Sequence, residues 1–111
     1  ISSGNSFVHE TESQVILNGS RDINFTMDLV IKDVSLFQAI AEREGIDLEI
    51  SPLLIDIFKD GEKRYGSREW SPNIVRRLEE SCGTDVLASG FPTEIVDDEP
   101  EQTGEEVFVR R

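Results

Sequence analysis

A chain of 111 residues with 37% apolar and 31% charged side chains is one globular domain's worth of sequence, able to bury a real but modest core. Its 11 basic and 23 acidic residues leave a net charge of −12. That argues against a nucleic-acid surface, which is usually basic, and bears on solubility and partners rather than on fold. A single cysteine, Cys82, excludes an intrachain disulfide and fits a reducing, cytoplasmic setting. A single histidine, His9, supplies too few nitrogen ligands for ordinary metal chemistry, so no metal is expected. No apolar run approaches the roughly 18 residues of a membrane-spanning helix, and the opening ISSGNSF lacks the regions of a signal peptide. Isoleucine rather than methionine at position 1 fits a piece of a longer chain.

Residues 1–6 read as a polar loop, and 7–17 as a weak helix that shares Phe7, Val8, Val15, Ile16 and Leu17 on one face and stops at Asn18-Gly19. Asp22 or Asn24 is placed to cap the next helix. That helix, 25–44 (FTMDLVIKDVSLFQAIAERE), is the longest element, and Gly45 takes the position after its end. Beyond the apolar connector 46–50, Ser51-Pro52 reads as N-cap and first helical residue. Leu54, Ile57, Phe58 and Tyr65 line one side of this third helix, with Gly61 a weak point and Gly66 a stop. Residues 67–83 read as a last helical segment with a second Ser-Pro start at Ser71-Pro72 and an apolar face of Ile74, Val75 and Leu78; a turn before it seats Trp70.

From Thr84 the chain is broken by glycine and proline, and 93–111 carries seven acidic against two basic residues. An irregular acidic tail is expected, packed through Phe91, Pro92 and Ile95, with Phe108 placed to anchor its end on another subunit. No stretch alternates as a strand. The fold class is all-α, a compact bundle of about four helices over 1–85, followed by the acidic tail 86–111.

The long helix carries the oddity. Leu29, Val30, Ile31, Val34, Leu36, Phe37, Ala39, Ile40 and Ala41 cover most of its circumference, whereas a surface helix keeps one apolar stripe. The pattern predicts a central helix packed on several sides, in which Lys32 is costly to desolvate. Two readings of Lys32 are open. It snorkels and pairs with Asp28 one turn back, or it projects with Asp33 into a cleft to meet a ligand. Elsewhere the chemistry is thin. The carboxylates of the tail lack calcium-loop spacing, no GxGxxG loop is present, and Ser, His and Asp have no nucleophile signature; Ser2-Ser3-Gly4 is at most a weak anion contact.

Phe25, six residues, then Lys32-Asp33, Val34 and Leu36 resembles the F-x6-K-D-x-x-L pattern in the C-terminal helical domain of the β-hydroxyacid dehydrogenases. These are the 3-hydroxyisobutyrate dehydrogenase-like enzymes, relatives of 6-phosphogluconate dehydrogenase. ISSGNSF resembles the loop preceding this segment, and AIAEREGIDLEISPLLIDIFKDGEKRYG and REWSPNIVRRLEE resemble the helices that follow, so the likeness runs over about residues 1–80. It implies an oxidoreductase that moves a hydride between NAD or NADP and a small β-hydroxy acid. Its Rossmann domain would lie upstream, and its helical domain would close the cleft and support a homo-oligomer, a dimer or tetramer. Carried over, Lys32 contacts the cofactor, while Phe25 and Asp33 line the substrate side. The catalytic lysine and the dinucleotide fingerprint of the family have no counterpart in these residues, so the resemblance implies a fragment without catalytic residues of its own. The alternative is a stand-alone helical interaction module whose acidic tail docks a basic partner.

Overall fold

The computed structural model describes residues 4–96, 98, 100–101 and 103–110. It is all-helical: α1 (Phe7–Asn18), α2 (Met27–Arg43), α3 (Ile50–Tyr65), a 3-10 turn (Ser71–Val75) and α4 (Arg76–Cys82). There is no β-strand among the described residues, only one antiparallel bridge between Thr26 and Trp70.

Each boundary has a local cause. Ser6 is extended and its Oγ accepts the His9 N–H at 3.0 Å, which starts α1. Gly19, at φ 91°, returns its N–H to the carbonyls of Val15 and Ile16 and ends the helix. α2 begins two residues later than the pattern predicts, and neither Asp22 nor Asn24 caps it. Thr26 stands at the cap, but its side chain accepts no backbone N–H of the first turn. The free N–H groups of the first turn are met by the chain between α3 and the 3-10 turn. Met27 N–H donates to Glu69 O at 3.0 Å and Asp28 N–H to Ser67 O at 3.1 Å, while Ser71 N–H donates to Phe25 O at 2.7 Å. That exchange holds 25–26 extended beside Trp70, so Phe25 lies outside the helix.

α3 starts at Ile50, one residue before the expected cap. Ser51 therefore sits inside the first turn, buried, and its hydroxyl caps nothing. Nor is Gly61 a weak point, because the helix passes straight through it to Tyr65. A Cβ placed there would meet Ile74 Cδ1 at 2.5 Å and Met27 Sδ at 3.0 Å. The glycine lets α3 pack close against Met27 of α2 and Ile74 of the 3-10 turn. The stretch 67–83 is not one helix: a turn and the 3-10 helix opened by Pro72 precede α4, which Gly83 ends at φ 65°.

α2 and α3 form the principal pair, and the buried apolar residues are Val15, Ile23, Met27 and Ala41. Charged pairs tie α4 to α3: Arg77 of α4 meets Asp60 at 2.7 Å, and Arg64, which also holds Asp60 within α3 at 2.9 Å, reaches Glu80 at 3.1 Å. These two arginines hold the Asp60 carboxyl below the usual carboxylate range. A second clamp closes the other side. Arg21, a non-glycine residue at φ 54°, sets its Nη2 against both carboxylate oxygens of Glu79 at 2.8 and 2.9 Å, both side chains being largely buried.

The same Glu79 accepts Val86 N–H at 3.0 Å and so ties the start of the tail to α4. The tail then lies across the end of α1, with Ala88 N–H on Leu17 O at 2.9 Å and Asn18 Nδ2 on Phe91 O at 2.9 Å. Ser20 Oγ follows on Thr93 O at 2.6 Å. Backbone contacts, more than Phe91 and Ile95, which stay 38% and 41% exposed, hold this part down. Farther on, Phe108 is 83% exposed and anchors nothing within the chain. The radius of gyration is 17.6 Å, against about 13 Å for a compact domain of about 100 residues, so only the helical part is compact. Asp97, Glu99 and Arg111, counted in the tail's charge, lie outside the described residues.

Candidate functional site

The site begins with the two faces of α2. Met27 and Ala41 are buried on one side by α3 and the 3-10 turn. By the helical period Leu36 and Ile40 turn away from that side and are 59% and 53% exposed, while Phe37, one turn before Ala41, lies at its edge and is 60% exposed. A chain with one long partner helix has too little protein to cover α2 all round. The expectation of a helix packed on several sides is therefore wrong for this chain, and Lys32 is not desolvated.

Lys32 stands at the surface with a side chain 60% exposed, its Nζ 3.3 Å from Asp33 Oδ1. It does not pair with Asp28, which is occupied from the other direction. Thr26 donates its hydroxyl to Asp28, and Arg68 Nη1 reaches Asp28 Oδ2 at 3.1 Å. The Thr26 bond first and the Arg68 guanidinium second hold the Asp28 carboxyl below its ordinary value. Lys32 and Asp33 are thus adjacent and open to solvent. Phe25, half-buried, sits about two helical turns back at the bridge to Trp70.

Asp33 has a second set of neighbours. With Val34 and Phe37 of α2 it lines an open groove of about 610 Å³, closed on the other side by Ile50, Ser51 and Leu54 of α3. Asp47 and Glu49 of the connector complete an acidic rim. Ser51 is 8% exposed and its Oγ has no hydrogen-bond partner. Of the residues singled out by the sequence, the groove takes Asp33. Lys32 is its neighbour, and Phe25 is not among its lining. Phe37, Asp47, Glu49 and Ile50 do not stand out in the sequence, although two acids alternating with apolar residues in the connector 46–50 are a visible signal.

No family model, curated protein or solved structure matches this chain. The groove's acids and apolar walls suit a ligand or segment with an apolar body and a basic or hydrogen-bonding end, and Lys32 at its edge suits an anionic group. A longer groove of about 1010 Å³ runs along α1 beneath the tail and contains His9 and Ser13. Ser13 Oγ lies 3.2 Å from His9 Nδ1, but among the described residues no carboxylate orients the ring, as a nucleophile set requires. No cluster of three or more His, Cys, Asp and Glu side chains suited to a metal ion is found among the described residues. No helix is long and apolar enough to cross a membrane, again among the described residues. Ser2 and Ser3 of the opening loop lie outside them.

Proposed function

We propose that this chain is the C-terminal helical domain of an NAD(P)-dependent β-hydroxyacid dehydrogenase of the 3-hydroxyisobutyrate dehydrogenase-like kind. In this reading Lys32 meets the cofactor, and Phe25 and Asp33 face the substrate side of a cleft completed by an upstream Rossmann domain. The substrate is a small β-hydroxy acid and the cofactor NAD or NADP. What supports the reading is the order Phe25, Lys32-Asp33, Leu36 on an all-helical chain, and one observation above the rest. Lys32 and Asp33 lie side by side on an open face of α2, where a ligand carried by a second domain reaches both.

The chemistry divides accordingly. An ammonium 60% exposed in the isolated domain gains little from a phosphate in water, and far more once closure excludes solvent and lowers the local dielectric. Asp33 at 3.3 Å holds that ammonium in place and competes for it until the anion arrives. A nicotinamide cofactor would supply the hydride chemistry. Residues 1–111 would supply positioning, closure and, through the uncovered face of α2, subunit contact in a dimer or tetramer.

The exposed Leu36, Phe37, Ile40 and Ile50 also favour a second reading, a helical interaction module without a catalytic partner domain. The coding sequence ahead of Ile1 separates the two. A GxGxxG strand–turn–helix and a helical lysine in the same reading frame support the dehydrogenase domain; a frame that opens at this segment contradicts it.

A further inference from the structure

The groove between α2 and α3 has two properties that nothing in the helical part of the chain satisfies. Its walls are apolar, with Phe37 and Ile50 left 60% and 76% exposed, and its rim is acidic through Asp33, Asp47 and Glu49.

The tail contains a segment with the opposite complement. Val107, Phe108 and Val109 are 80%, 83% and 81% exposed. Two β-branched residues around an aromatic favour extended backbone. Arg110 and Arg111 follow directly, and they are the only basic residues from position 93 onward. Apolar triplet and cationic end thus match apolar wall and acidic rim.

We propose that the groove receives residues 107–110 of a second copy of this chain as an extended segment. Phe108 packs between Phe37 and Ile50, and Arg110 faces Asp47 and Glu49. The exchange is reciprocal, each copy giving its segment to the other's groove around a two-fold axis. Glu105 and Glu106 stay outside the rim. The proposal does not depend on the dehydrogenase reading, since it uses the groove and the tail alone.

Sedimentation and light scattering of the 111-residue chain over a range of concentrations test it. A monomer–dimer equilibrium is expected, weakened at least about tenfold by Phe108→Ser and equally by Phe37→Ser. Both residues are exposed, so neither change threatens the fold. Val96→Ser, in the tail but outside the segment, should leave the equilibrium unchanged. Arg110→Glu should weaken the dimer, and adding Asp47→Lys with Glu49→Lys should restore it. A monomer at every concentration overturns the proposal, as does a dimer indifferent to Phe108→Ser. Amide shifts at Phe37 that respond to Phe108→Ser without any concentration dependence also overturn it, because they place the segment in its own chain's groove.

Discussion

Replacing Gly61 by alanine sets two effects of known size against each other. In a helix interior the change gains about 1 kcal/mol from propensity alone. Against this, the new methyl would stand 2.5 Å from Ile74 Cδ1 and 3.0 Å from Met27 Sδ, where carbon contacts prefer about 3.5–4.0 Å. Ile74 is half-buried and can give way, but Met27 is fully buried and has nowhere to retreat. Overpacking of this kind costs about 1–3 kcal/mol, so Gly61→Ala should lose about 1 kcal/mol net. Urea unfolding followed by helical circular dichroism measures it, with an unchanged slope against denaturant as the sign of an unchanged fold. Ile74→Val removes the nearer obstacle but leaves Met27 Sδ at 3.0 Å, so in that background Gly61→Ala should recover part of the loss, with a coupling of roughly 0.5–1 kcal/mol. A full propensity gain in the wild-type background, or no coupling between the two positions, would refute the close approach of α3 to the 3-10 turn.

Glu79→Gln leaves Arg21 largely buried without its counter-ion and weakens the hold on Val86 N–H. A loss of about 2–3 kcal/mol is expected from the breaking of a largely buried pair, together with faster amide exchange at Val86. Acid should act on the same clamp. The Val86 N–H bond first, then Arg21, depresses the Glu79 carboxyl in the folded chain, so its stabilisation is complete above the unfolded pKa. It is lost as pH falls through the lower, folded value, and Glu79→Gln should flatten that part of the acid unfolding curve. Lys32→Ala should leave stability within about 0.5 kcal/mol, because an exposed pair contributes little; a larger loss in urea would mean that Lys32 is structural.

What the sequence made legible is the punctuation. Gly19, Gly45, Gly66 and Gly83 all end elements at positive φ, and a residue that left-handed backbone favours is visible without any tertiary context. Ser71-Pro72 likewise marks a real start, although of a 3-10 turn. What stayed hidden depends on partners distant along the chain. Gly61 reads as a flaw until Met27 and Ile74 are brought against it. Ser51 reads as a cap until the helix is seen to begin one residue earlier. The apolar girth of α2 reads as burial, yet burial needs neighbours, and 111 residues supply too few. The groove shows the same limit: Asp33 stood out through its motif, while Asp47, Glu49 and Ile50 become neighbours of α2 only through the turn at Gly45.

The central claim is that Lys32 belongs to a cofactor cleft, and steady-state kinetics of the full polypeptide carrying this segment test it most directly. With NAD or NADP and a small β-hydroxy acid, turnover is expected, and Lys32→Ala should raise the cofactor KM at least about tenfold while the unfolding midpoint stays put. Absence of nicotinamide-dependent turnover, or a Lys32→Ala enzyme with unchanged cofactor KM and kcat, would contradict the account.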